Sequence, residues 1–253
     1  MKLRNFFFVA TFYLLTIINF QFLIKHFFKK YIQKRIEGFS AAAIIGKKEF
    51  MGLTLKVNEQ VLIPRPDTET WLEKVIQYYR NETGLKVADL GTGSGAILVG
   101  FLYYCRDAVG VGVDISTEAL KIAEENGQNL KITDRVEWRQ GDYLKAFDEE
   151  DVFDGIFSNP PYIPTKDIGG LSREVKHEPR LALDGGTDGL YFYHLLAKGA
   201  AEHLKPGGFL AVEFGIGQAT DILEMFRKSA QYEDFEVIKD YGGIERALYC
   251  RKK

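Results

Sequence analysis

The chain of 253 residues reads as an α/β protein: a mostly parallel, seven-stranded sheet with helices on both faces, preceded by a short helical segment and a β-hairpin. From Lys86 onward, apolar runs of strand length alternate with longer stretches of helical period, the pattern of strands joined by helical crossovers. The first run ends in Gly91-Thr92-Gly93-Ser94-Gly95, a turn that opens directly into a helix. The last two runs are joined through Tyr241-Gly242-Gly243. That is a turn and not a crossover, so the sheet should finish on an antiparallel pair.

Taken in order, residues 1–45 form the short helical segment, 46–85 the hairpin and a linker helix, and 86–253 the main domain. Glu49 to Ile63 alternates apolar and polar residues about an Asn58-Glu59 turn and enters the rigid loop Pro64-Arg65-Pro66. Asp67 or Thr68 is placed to cap a helix through Trp71, Val75 and Ile76 to about Tyr79. In the main domain Val87–Leu90 is a buried strand, and the helix after the glycines runs to about Cys105. The second strand is Ala108–Val113; Ser116 then caps a helix with Glu118 and Ala119 in its first turn. The third strand is Arg135–Trp138 and the fourth Phe153–Ser158. A helix over about Leu190–Leu204 stops at Pro206-Gly207-Gly208, and strand five follows at Phe209–Phe214. One more helix precedes the closing strands near Phe235–Lys239 and Arg246–Cys250.

Composition narrows the function. With 46% hydrophobic and 27% charged residues the chain is globular. Cys105 and Cys250 make no disulfide framework and have no metal-ligand spacing, and four scattered histidines give no zinc signature. The cysteines read as packed thiols of a reducing cytoplasm. Residues 1–40 hold seven Lys/Arg against the single acid Glu37, which leaves residues 41–253 at a net of about −8. An acidic main domain is a poor unaided binder of phosphates, so direct nucleic-acid binding is not expected. Phe6 to Ile24 is uncharged over 19 residues, a candidate membrane segment with basic residues following it. Thr11, Thr16, Asn19 and Gln21 interrupt the run, and a buried or partner-facing helix of a cytoplasmic protein is the favoured reading. The protein is expected to act as a monomer.

In an open parallel sheet, ligands bind at the carboxyl ends of the strands. Four strand ends here carry polar residues suited to that. Gly91, Thr92, Gly93, Ser94 and Gly95 let the backbone approach a ligand closely at a helix N-terminus. Asp114, after strand two, can accept hydrogen bonds from both hydroxyls of a ribose, which suits an adenosine-bearing cofactor. After strand three, Asp142 could receive an adenine amino group while Tyr143 packs on the ring. The fourth strand end decides the chemistry: Asn159-Pro160-Pro161-Tyr162. Two prolines fix their own φ angles and push Asn159 toward an extended conformation. The turn then aims the Asn159 carboxamide oxygen and the Pro160 carbonyl at one point, where they suit an NH2 group on a planar carbon. Tyr162 offers a flat face to that group. An amide nitrogen is a poor nucleophile because its lone pair is delocalised. Two acceptors on its N–H groups enrich and orient it for in-line methyl transfer, with no metal or protein nucleophile needed.

With these residues assembled, the chain resembles the HemK/PrmC family, the protein-(glutamine-N5) methyltransferases that act on peptide chain release factors. The similarity covers about residues 30–253. Leu62-Ile63-Pro64-Arg65-Pro66-Asp67-Thr68-Glu69, the glycine loop and Asn159–Tyr162 carry it, with Glu178–Leu183, Gly185-Gly186 and Asp240-Tyr241-Gly242-x-x-Glu245-Arg246. An Asn-Pro-Pro-Tyr alone also occurs in adenine-N6 methyltransferases of DNA and RNA, and a sister group modifies a ribosomal-protein glutamine. The Pro-Asp-Thr-Glu ending favours release factors. The resemblance implies a Rossmann-like class I methyltransferase fold, with S-adenosylmethionine on Gly91–Gly95, Asp114 and Tyr143. It implies that Asn159–Tyr162 binds the substrate glutamine of a Gly-Gly-Gln tip. One departure is the N-terminus, where the family's helical domain is longer than the roughly 40 residues present and a misassigned start would account for the difference.

Overall fold

The computed structural model describes residues 28–253; the Phe6–Ile24 segment lies outside them. Among the described residues no helix is long and apolar enough to cross a membrane. Helical backbone over residues 28–37 (α1) leads to α2 (Ala41–Ile45), which Ser40 caps through its Oγ. The hairpin β1 (Lys47–Phe50) and β2 (Leu53–Lys56) follows, then α3 (Pro66–Tyr79).

Two expectations for this region are corrected. The hairpin turns at Met51-Gly52 and not at Asn58-Glu59, because those two residues take φ +53° and +71°, the left-handed pair that a tight two-residue hairpin turn demands. Asn58 makes a local turn instead, its Oδ1 accepting from Gln60 N. Val57 just before it, and Val61 and Ile63 beyond it, are buried with Ala119 and Ile122. Neither Asp67 nor Thr68 caps α3. The helix opens on Pro66, whose missing N–H needs no partner there, and Thr68 turns inward to other work.

The main sheet has the order β5-β4-β3-β6-β7-β9-β8. Its parallel strands are β3 (Lys86–Leu90), β4 (Val109–Asp114), β5 (Val136–Gln140), β6 (Phe153–Ser158) and β7 (Leu204–Glu213). The strands β8 (Tyr232–Lys239) and β9 (Glu245–Lys252) are antiparallel, and β9 sits between β7 and β8. This is the expected seven-stranded, mostly parallel sheet. The helices α4 (Ala96–Tyr104) and α5 (Thr117–Asn129) flank the first strands. A 3₁₀ turn, Thr165–Gly170, and the short α6 (Arg173–Lys176) follow β6, before α7 (Tyr191–Gly199) and α8 (Ala219–Lys228). Ser116 caps α5 as expected, accepting from Ala119 N. The predicted long helix before β7 ends at Gly199 and continues as a 3₁₀ turn to His203.

Two apolar layers sandwich the sheet. One gathers Trp71, Leu72 and Val75 of α3 with Leu98 and Phe101 of α4 and with Phe50 and Leu55 of the hairpin. The other gathers Tyr193 and Leu196 of α7 with Ile222 and Phe226 of α8. The hairpin and linker helix therefore share the main core. Strand β3 has β4 on one side and β6 on the other, so strand order reverses there and a crevice opens at the carboxyl ends.

The sheet is tight where it crosses the core. A Cβ placed at Gly155 in β6 would lie 2.1 Å from the Phe209 ring, so Gly155→Ala should cost about 1–3 kcal/mol through forced repacking. Gly169 has nothing within 4 Å of such a Cβ, and its alanine variant should stay within about 0.5 kcal/mol of the parent. Urea midpoints of the two variants check this.

Candidate active site

The loops after β3, β4, β5 and β6 converge on the crevice. Gly91, Gly93 and Gly95 all take positive φ, +73°, +56° and +79°, which a side chain would strain. Each has a distinct reason to be glycine. A Cβ at Gly91 would come within 2.9 Å of the Tyr143 hydroxyl, and one at Gly95 would press on Trp138 and Ala123. At Gly93 it would meet nothing, because that face looks into the cavity. Gly91 N and Thr92 N both donate to Val113 O, and Gly93 N donates to Asp114 Oδ2. Thr92 and Ser94 are buried and do not face the cavity: Thr92 Oγ1 donates to Asp89, and the Ser94 carbonyl accepts from Asn126. They shape the loop from behind.

Asp114 accepts from Gly93 N at 2.8 Å on one oxygen and from Ser116 N at 2.9 Å on the other. Asp114 itself lines the cavity. Burial pushes its carboxyl upward, against backbone hydrogen bonds that lower it. Tyr143 has φ +51°, which swings its ring inward to stack on Phe192 at 4.6 Å. The same twist turns Asp142 out, where it is exposed and pairs with Lys145. Gly141 and Tyr143 line the cavity; Asp142 does not.

Two cavities meet at Asn159. One of about 210 Å³ is lined by Gly91, Gly93, Asp114, Tyr143, Asn159 and Pro161, among others. The second, about 230 Å³, is lined by Arg65, Asn159, Tyr162, Leu171 and Val175, among others. Asn159 Oδ1 is buried and has no hydrogen-bond partner. No donor among the described residues reaches the Pro160 carbonyl either. An unpaired buried acceptor costs about 1–3 kcal/mol, so the Asn159 oxygen at this strand end is a candidate to meet a donor that arrives from outside.

The surroundings explain segments that had no assigned role from sequence. Ile163 N donates to Leu183 O, and Gly185 N to Ile163 O, so residues 183–186 brace the turn. A Cβ at Gly185 would lie 2.7 Å from the Pro161 carbonyl. Arg65 grips Glu178 through both carboxylate oxygens, at 2.7 and 2.8 Å. Arg246 joins Asp67 at 2.9 Å to Asp240 at 2.7 Å. The three outlying motifs are thus ion-paired to one another around Tyr162. Burial pushes the Tyr162 hydroxyl up to about 12, with Glu213 adding to the effect, so the ring stays neutral at physiological pH. Sequence reasoning missed Glu213, buried at the end of β7, whose Oε2 accepts from Thr68 Oγ1 at 2.6 Å and Trp71 Nε1 at 2.8 Å. It also missed the apolar wall of Leu62 and Ala182 shared by both cavities. No pattern in the sequence pairs Thr68 with a residue 145 positions away.

Comparison with known proteins bears on what this geometry serves. A family model described as a methyltransferase domain matches residues 81–213. A Bradyrhizobium diazoefficiens protein named release factor glutamine methyltransferase is 44% identical over 227 residues, covering 88% of this chain and 76% of its own. A Moorella thermoacetica protein of the same name is 40% identical, covering 88% and 78%. Among solved structures, a methyltransferase from Pyrococcus furiosus aligns with TM-score 0.57 at 21% identity, over 79% of this chain and 89% of that one. A ribosomal RNA methyltransferase from T. thermophilus, solved with AdoMet and guanosine, aligns with TM-score 0.58 at 19% identity, over 82% and 50%. At such identities the structures speak for the fold alone.

One group beneath the site generates a stability prediction. Asp89 is fully buried, with Oδ2 accepting from Thr92 Oγ1 and Oδ1 unpartnered. Burial pushes its carboxyl up to about 7. An acid raised in the folded state ionises first in the unfolded chain, so its stability contribution is full below about pH 4 and is lost as pH rises toward 7. The stability of Asp89→Asn relative to the parent should therefore rise by roughly 2–4 kcal/mol between pH 4 and 8. Urea titrations across that range check it; a pH-independent difference would mean that Asp89 ionises as an ordinary carboxylate.

Proposed function

The chain belongs to the release factor glutamine methyltransferase family, and we propose that Asn159, which lines both cavities, carries its reaction together with the neighbouring Pro160 carbonyl and Tyr162. Its activity is methylation of a release-factor glutamine. The observation that carries the site assignment is the buried, unpartnered Asn159 Oδ1.

The cavity fits S-adenosylmethionine on its own terms. The Gly93 face is open, and Gly91 and Gly95 are closed to side chains by the ring of Tyr143 and by Trp138. Asp114 keeps free lone pairs for two hydroxyls. In this reading Gly91, Gly93, Asp114 and Tyr143 hold the cofactor and Asn159 stands beside it, Thr92, Ser94 and Gly95 shape the loop from behind, and Asp142, turned outward to Lys145, takes no part. When bound, S-adenosylmethionine supplies an electrophilic methyl group.

The chain's own residues do the rest. Asn159 Oδ1 and the Pro160 carbonyl accept the two N–H groups of the glutamine side chain, which fixes its plane and raises the electron density on nitrogen. Pro161 holds the turn extended, and Tyr162 presents its face to the planar amide. The nitrogen sheds one proton as the N–C bond forms. Amide oxygens are weak bases, so that proton passes to water. Leu62, Leu171 and Val175 give the substrate cavity an apolar wall, which suits the glycine-flanked glutamine of a Gly-Gly-Gln tip better than a bulky neighbour.

Asn159→Ala deletes one acceptor and leaves the cofactor loop and the Pro-Pro turn in place. Turnover should fall on the order of a hundredfold or more, with cofactor affinity nearly intact. Asn159→Asp keeps an oxygen and should retain more activity than Ala. Asp114→Ala is the counterpart, weakening cofactor binding by roughly 1–3 kcal/mol. Steady-state kinetics with purified release factor and calorimetric cofactor titration separate the two. Wild-type turnover in Asn159→Ala would make Asn159 structural.

A further inference from the structure

Gln218 stands at the N-cap position of α8, yet its side chain makes no capping hydrogen bond. It reaches back instead. Its Oε1 accepts from Gly215 N at 2.8 Å, and its Nε2 donates to the Tyr162 carbonyl at 3.0 Å and the Gly189 carbonyl at 3.4 Å. One carboxamide thus ties together three loops: the turn after β6, the loop before α7 and the exit from β7.

Two glycines make room for it. A Cβ at Gly189, which has φ +79°, would lie 2.9 Å from Gln218 Nε2 and 2.4 Å from the Tyr162 carbonyl. A Cβ at Gly215 would lie 2.9 Å from Gln218 Oε1 and 3.0 Å from the Tyr162 ring. The chemistry of the site is equally restrictive. A neighbouring N–H needs an acceptor and two carbonyls need a donor, within the reach of one side chain. A carboxamide on a two-methylene stem supplies both. A carboxylate supplies a donor only when protonated, and an alkyl or thioether chain supplies neither.

The turn that carries Asn159 and Pro160 is anchored at its start by the β6 ladder, where Ser158 pairs with Leu90 and Val212. At its end, the Tyr162 carbonyl is held by Gln218 and Ile163 is bridged to the 183–186 segment. We propose that Gln218 is a positioning residue for methyl transfer: by fixing the Tyr162 carbonyl it sets the direction in which Asn159 and Pro160 present their oxygens. This rests on the assignment of Asn159–Tyr162 as the substrate-amide site. A loosened acceptor pair loses orientation, and orientation is most of what a poor nucleophile needs from its enzyme.

The test uses the full chain and purified release factor, with the active fraction counted by cofactor titration. Gln218→Met keeps length and removes both hydrogen-bonding functions. Its kcat should fall tenfold or more, while KM for release factor and Kd for S-adenosylmethionine stay within about twofold to threefold of the parent. Gln218→Glu should be impaired at pH 8 and regain activity relative to the parent as pH falls toward 5, because the protonated carboxyl recovers a donor for the Tyr162 carbonyl. If kcat per active site is unchanged in Gln218→Met and only the melting temperature drops, Gln218 is purely structural and the inference is overturned. A flat ratio of Gln218→Glu to parent activity across pH overturns it too. If Asn159→Ala instead keeps wild-type turnover, the site assignment itself has failed, and the two failures are told apart.

Discussion

A carboxamide oxygen buried without a hydrogen-bond partner costs a folded protein about 1–3 kcal/mol, and most structures relax until the cost disappears. At Asn159 relaxation is blocked on every side. Two prolines remove backbone freedom and backbone donors together. The preceding strand is hydrogen-bonded on both edges. Residues 183–186 pair with the far end of the turn, with Gly185 allowing contact that a methyl group would prevent. What remains is a buried oxygen held in place on a residue that lines both cavities. Stability given up at a site in this way is the usual mark of preorganisation for a ligand.

The charged residues around the turn serve the same end. Arg65 with Glu178, and Arg246 with Asp67 and Asp240, are half-buried to buried pairs whose partners come from distant parts of the chain. Such pairs add little net stability, but removing one partner leaves a buried charge, so the geometry they impose is strict. They fasten the linker before α3, the segment after α6 and the β8–β9 turn to one another. Burial and the neighbouring Glu213 keep Tyr162 protonated although Arg65 and Arg246 pull the other way, and burial raises Glu213 itself. On the proposed reading the site presents oriented dipoles to a neutral substrate group, which is what electrostatic preorganisation requires.

Much of this was legible in the chain. The period change at Lys86, the glycine loop and the Ser116 cap gave the strand order's raw material, and the Asn-Pro-Pro-Tyr turn does stand at the end of β6, where the two cavities meet at Asn159. The misread parts have physical causes. Asn58-Glu59 looks like a hairpin turn by residue type, but Met51-Gly52 supplies the two left-handed residues that the register needs. Asp142 and Tyr143 are adjacent in sequence, and only the positive φ at Tyr143 decides which of them enters the cavity. Thr68 resembles a helix cap until Glu213 takes its hydroxyl. Gln218 is invisible to pattern, since its partners lie 3, 29 and 56 residues away. Local chemistry reads well from sequence, and side chains that act across loops do not.

On the proposed reading, the two acceptors at the end of β6 prepare one amide nitrogen for methylation. Transfer of labelled methyl from S-adenosylmethionine to purified release factor, with ribosomal proteins and duplex DNA as parallel substrates and the modified residue mapped by mass spectrometry, tests it most directly. The expected result is a single methyl on the side-chain nitrogen of the Gly-Gly-Gln glutamine, with the other substrates unlabelled. Label on adenine or on a ribosomal protein, with the release factor unmodified, would contradict it.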